Sequence, residues 1–132
     1  MKVQDFHFCV ETRKSIDEVV VALETALKER GFGVLWEMDI PSKLQEKGVE
    51  FAKPYRILEV CNPHEAKEVL LQNELVGYFL PCKIVVYDHA GQTVIGFPKP
   101  TALMGIIADE HLMQTARRVE AALQDAVSHA AQ

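Results

Sequence analysis

No stretch of this chain is apolar for long enough to cross a bilayer, which takes about 20 consecutive residues. Basic residues are scarce: 14 Lys and Arg stand against 19 Asp and Glu, a formal charge of −5. No Lys/Arg stripe interleaves with aromatics, so the electrostatic footprint that nucleic acid demands is missing. Arg117-Arg118 is an isolated pair on an expected helix and reads as a solvated face. Three cysteines, Cys9, Cys61 and Cys82, are an odd number without regular spacing, which is not a disulfide framework. The opening Met1-Lys2-Val3-Gln4-Asp5 has no apolar core of a signal peptide. The expectation is a soluble cytoplasmic protein with reduced thiols and neither a membrane nor a nucleic-acid partner. Also missing are G-x-S-x-G, H-E-x-x-H, C-x-x-C, the P-loop and G-x-G-x-x-G. Serine-hydrolase, phosphate and nucleotide readings therefore have no support, and nothing implies a cofactor.

What is present is a clear alternation of strand and helix patterns. The length of 132 residues suits one domain, 1–132, with an ordinary core that needs no staples. Residues 2–11 alternate, with Phe6, Phe8 and Val10 opposite Asp5, His7, Cys9 and Glu11. Ser15 caps a helix over 16–30, with Glu18 three residues on, apolar spacing from Ile16 to Leu27, and Gly31 as its stop. Phe32 to Ile40 alternates again. Phe32, Val34, Trp36 and Met38 take one face, and Leu35, Glu37 and Asp39 the other. Residues 42–47 read as about one helical turn.

Tyr55-Arg56-Ile57-Leu58-Glu59-Val60-Cys61-Asn62-Pro63-His64-Glu65 reads as a strand running into a helix. Asn62 is the N-cap, Pro63 occupies the first turn, and Glu65 sits where a capping box needs it. That helix ends near Asn73. The β-branched stretch 82–88 predicts a strand near the middle of the sheet, turned by His89-Ala90-Gly91 into a partner over Thr93–Phe97. Thr101–Ile107 is apolar without a period: a short helix, a lid, a dimer contact, or a segment folded onto its own core. The last helix is expected over 109–129, with Leu112, Ala116, Val119, Leu123 and Ala126 inward.

The order β-α-β-β-α-β-β-α predicts an α+β fold in two layers: a mostly antiparallel sheet with the long helices on one face. The other face would carry Asp5, His7, Glu37, Asp39 and Glu59. The strand ending in Cys61-Asn62-Pro63, its helix, and Leu80-Pro81-Cys82 before the next strand resemble the DUF302 family of small bacterial and archaeal proteins. The resemblance spans most of the chain. It implies a TBP-like strand–helix–four-strand–helix layout, and it implies no activity.

Three functional readings follow. The first is a small-ligand-binding module without assigned catalysis, its pocket lined by Trp36, Tyr55 and Tyr78. The second is a thiol- or metal-dependent protein. Cys61 precedes a capped helix start, where the helix dipole favours a thiolate, so it is expected to be the fastest thiol to alkylate. His64 completes a C-x-x-H pair, and Cys82, Cys9 or His7 would have to supply the remaining zinc ligands. The competing role for these cysteines is small apolar packing. The third is a structural homodimer built on Thr101–Ile107 or a sheet edge. Asp39, Glu37 and Glu59 could face one another as an acid–base pair, but a solvated sheet face is the stronger reading of them. His7, His89 and His111 carry no motif.

Overall fold

A computed structural model describes residues 3–132. A 3-10 turn, Val3–Phe6, leads into β1 (His7–Thr12), so the first strand starts later than its alternation suggests. Lys2, where that strand was expected to begin, lies outside the described residues. Helix α1 (Ile16–Glu29) starts on a complete capping box, in which Ser15 and Glu18 satisfy each other's backbone N–H groups. Gly31, at φ +84, turns the chain out of it into β2 (Gly33–Asp39).

Asp39 then caps α2 (Ile40–Glu46), which is longer than the single expected turn because Pro41 occupies its first turn and Asp39 accepts from the Ser42 N–H. Strand β3 (Tyr55–Cys61) passes through Asn62 into α3 (Pro63–Gln72), and a 3-10 segment, Glu74–Phe79, carries the chain to a cis Leu80–Pro81 bond. Next come β4 (Cys82–His89), β5 (Gln92–Pro98), the short α4 (Pro100–Gly105) and the long α5 (Glu110–Ala130).

The sheet is antiparallel, in the order β1-β5-β4-β3-β2, and β4 lies at its centre as the β-branched pattern predicts. One face is covered by α1 and α5. Leu23 and Leu27 from α1, Leu123 and Val127 from α5, and Leu58, Val60, Ile84, Val86 and Ile95 from the strands are fully buried there. Each such side chain contributes about 1.5–3 kcal/mol over its exposed state. A second, smaller core holds Val69, Val76, Met104, Leu112 and Ala116, with Leu80 packed against it. It is made by α3, the 3-10 segment, α4 and the first half of α5.

A bulge at Leu35 reassigns the faces of β2. Val34 pairs with Val60 and faces the helices, whereas Trp36 pairs with Glu59 and faces away from them. Glu37 and Asp39 are thereby turned to the helix side, where Glu37 accepts from Arg56 and Asp39 caps α2. The acidic open face expected from simple alternation is replaced by a more apolar one. It carries Trp36 and Met38 from β2, Tyr55 and Ile57 from β3, Val85 and Tyr87 from β4, and the Glu59–Lys83 ion pair.

Candidate functional site

At the end of the sheet where β3 stops and β4 begins, the two cores do not quite close on each other. The 3-10 segment ends at Phe79, the chain crosses Leu80-Pro81, and β4 leaves from Cys82. Opposite, β5 ends at Pro98 and α4 begins at Pro100, with Pro98 and Pro100 stiffening the turn between them. Between these walls lies a cleft of about 160 Å³, lined by Tyr78, Phe79, Leu80 and Cys82 on one side and by Leu103 and Met104 on the other. Behind it, a void of about 20 Å³ shares Leu80, Cys82 and Met104 with the cleft and is closed by Cys61, Val69 and Val119. Leu80, Val69 and Met104 belong to the small core, and Cys82 and Val119 to the main one.

The walls are held in place by polar contacts at their backs. Glu120 of α5 accepts from both the N–H and the hydroxyl of Thr101, at 3.0 and 2.6 Å, and so pins α4 to α5. Arg118 grips α3 through a forked pair of bonds to Glu65 at 3.1 and 3.2 Å, with a further bond to Glu68. Arg118 is thus a strut between helices as well as a solvated residue, and these carboxylates hold its guanidinium further above its ordinary value. Glu65 is committed to Arg118. The reciprocal half of the expected capping box is therefore absent at α3, where Asn62 alone accepts from the His64 and Glu65 N–H groups.

The candidate residues from the sequence are scattered with respect to this cleft. Tyr78 stands at its mouth and is largely exposed, Cys82 is in its wall, and Cys61 borders the void behind. His64 is exposed in the first turn of α3 and lines neither space. Trp36 is 45% exposed on the uncovered face of β2. Tyr55 lies at the opposite end of β3, roughly 20 Å from Cys61 at the usual rise per strand residue. There it stacks on Tyr87 with ring centroids 5.1 Å apart, and burial followed by the Tyr87 phenol pushes its own phenol up. The three aromatic residues expected to line one pocket are not gathered into one.

Tyr55 does border a larger polar cleft of about 570 Å³, but most of its charged groups serve the fold. Arg56 is bound to Asp17 and Glu37, the Lys14 ammonium donates to the Ala130 carbonyl, and Asp39 caps α2. In the cleft at Cys82 the only such pairing among the described residues is that of Lys83 with Glu59.

The thiol expectations need correction. Burial pushes the Cys61 thiol up, so the favourable end of α3 does not prevail as expected for an activated thiolate. Cys82 is pushed up to about 11, first by burial and then by the charge of a neighbouring Cys61 thiolate. Both are therefore neutral thiols at ordinary pH. Among the described residues no three His, Cys, Asp or Glu side chains come together as a metal would require, so the C-x-x-H pair gains no further ligands. Cys9 lies exposed on β1, facing Gly96, where a side chain on β5 would meet the Cys9 Cβ at 3.2 Å.

Sequence reasoning missed Lys83. Among the described residues it is the only charged one in the cleft lining, and its ammonium donates to Glu59 at 2.8 Å. The one signal was its place as the lone charge in the run Cys82-Lys83-Ile84-Val85-Val86-Tyr87.

Residues 8–130 match the family described as domain of unknown function DUF302. Among solved structures, an uncharacterized conserved DUF302 protein from Bacillus stearothermophilus is 48% identical to this chain. Its crystal structure superposes with a TM-score of 0.91, over 96% of this chain and 98% of that one. No curated protein gives a match.

Proposed function

The chain belongs to the DUF302 family, and from that premise we propose that it is a binding module for a small, mainly apolar molecule held in the cleft between its two cores. The observation that carries this reading is the cleft itself, about 160 Å³ with aliphatic and aromatic walls at an open end of the sheet. A cavity of about 150 Å³ with such walls accommodates one benzene ring, so the occupant is about the size of a single ring. A ligand of that size gains about −4 to −5.5 kcal/mol, a Kd of roughly 0.1–1 mM. Amide chemical shifts recorded during titration with phenol or cyclohexanol test it. Saturable shifts confined to residues 78–83 and 99–105 are expected, and an absence of saturation into tens of millimolar contradicts the reading.

The strand–helix–four-strand–helix order, with α3 inserted between β3 and β4, supports the TBP-like layout. Three free cysteines support a reducing, cytoplasmic setting.

A homodimer is the second reading, and a different surface now favours it. The Thr101–Ile107 segment packs on its own core through Met104 and leaves only the Ile106 side chain strongly exposed, a small apolar contact. The open sheet face, with Trp36, Ile57, Val85 and Tyr87 uncovered by helices, suits a two-fold contact. Sedimentation equilibrium should give twice the chain mass, reduced to one by Val85→Glu. A monomer at high micromolar concentration excludes it.

A further inference from the structure

We propose that the ligand is a small monocarboxylate carrying one apolar ring or branched group, and that Lys83 recognises its carboxylate. This deepens the ligand-binding reading and rests on it. The protein carries a formal charge of −5, yet among the described residues no Asp or Glu lines the cleft, and Lys83 is its one charged side chain. The other titratable groups there are Tyr78 and the Cys82 thiol, and the thiol stays neutral because burial and Cys61 push it up to about 11. An anion entering the cleft therefore meets no repelling charge in the described lining, and the nearest carboxylate there, Glu59, is paired with Lys83.

Lys83 is part of the lining, with its side chain 53% exposed, on the sheet face that continues away from the helices. One of its donors goes to Glu59 at 2.8 Å. An ammonium has three donors, so a carboxylate in the cleft can be bound without breaking that pair. Glu59 keeps the Lys83 head on this face and also moderates its charge. The remaining walls, Phe79, Leu80, Pro81, Pro98, Leu103 and Met104, present apolar side chains to the body of the ligand. A cationic ligand of the same shape would face the ammonium at the same place. A neutral one would gain from burial alone.

The geometry is that of a half-exposed ion pair, so the carboxylate preference is modest, roughly two- to fivefold over an isosteric neutral compound. It weakens with added salt.

Calorimetric or amide chemical-shift NMR titrations with benzoate, benzyl alcohol and benzylamine at low ionic strength test the proposal. Benzoate is expected to bind best and benzylamine worst. In Lys83→Met, which keeps the aliphatic stem and removes the charge, the benzoate-to-alcohol ratio should fall to about one. Lys83→Arg should restore the preference for benzoate. If Lys83→Met proves unstable, the salt dependence of the wild-type ratio gives the same answer. Equal binding of all three compounds, or a preference that survives both Lys83→Met and high salt, overturns the carboxylate assignment and leaves the ligand reading standing. If none of the three binds, and phenol and cyclohexanol also fail, both fall together.

Discussion

Truncating Leu123 to alanine probes the packing that positions everything else. Leu123 lies on α5, fully buried against α1 and the sheet, in one cluster with Leu23, Leu27, Leu58 and Ile84. The lost transfer free energy is about 2.4 kcal/mol for three carbons at ~0.8 kcal/mol each. A further ~24 cal/mol is lost for each Å³ of void that the surroundings fail to fill. Collapse is restricted here, because α5 is fixed along its length. Thr12 donates to the Ala131 carbonyl at 2.8 Å, Arg30 pairs with Asp125 at 2.9 Å, and Arg118 and Glu120 hold α3 and α4. The expected loss is therefore about 3–4 kcal/mol, within the usual range for buried leucines. For 132 residues the unfolding entropy is about 280 cal/mol/K, so a loss of 3 kcal/mol lowers Tm by roughly 11 °C. Urea unfolding with an unchanged slope is the assay. Leu71→Ala is the control, since Leu71 is 78% exposed, and it should change stability by less than about 0.5 kcal/mol. A loss below about 1 kcal/mol for Leu123→Ala would mean that α5 does not close the main core as described.

Asn62→Ala should cost about 1 kcal/mol, because the His64 and Glu65 N–H groups lose their acceptor; Asn62→Asp should restore most of it in the same urea melts. Alkylation with iodoacetamide at pH 8, followed by mass spectrometry, should label Cys9 first because it is exposed. At about 11, the Cys82 thiol is some 200-fold less ionised at that pH than a free thiol of ~8.5, and the greater nucleophilicity of a more basic thiolate reduces this to roughly 20-fold in rate before access is counted. Labelling of Cys82 ahead of Cys9 in the native state would contradict the buried, neutral assignment. Glu120→Ala frees Thr101 and the start of α4, so a single-ring ligand should bind several-fold more weakly; an unaltered Kd would show that α4 needs no such anchor.

Much of the fold was legible because its signals are local. The Ser15 capping box, the helical spacing up to Leu27 and the β-branched run in β4 each announce themselves within a few residues. The bulge at Leu35 does not. Its neighbours Val34 and Trp36 are both apolar, so alternation continues through it on paper while the chain changes face. Arg118 read as a surface residue because its partners Glu65 and Glu68 lie some fifty positions away. The candidate site was less legible for the same reason. Its walls come from β4, α4 and the 3-10 segment, and periodicity within any one of them does not indicate that they meet. Tyr78 and Cys82 were singled out for their residue types and stand at the cleft. Trp36 and Tyr55 were singled out on the same grounds and stand elsewhere, since an aromatic ring is as useful on a sheet face as in a pocket. For Cys61 the sequence displayed the helix start but not the burial that opposes it.

The most direct test of a ligand cleft between the two cores is a crystal of this protein soaked with iodobenzene and measured for iodine anomalous scattering. One ordered peak is expected between Leu80, Cys82, Leu103 and Met104, and it should vanish in Met104→Trp, whose indole fills the space. An empty cleft, with iodine found only on the open sheet face beside Trp36 and Tyr87, would contradict the account.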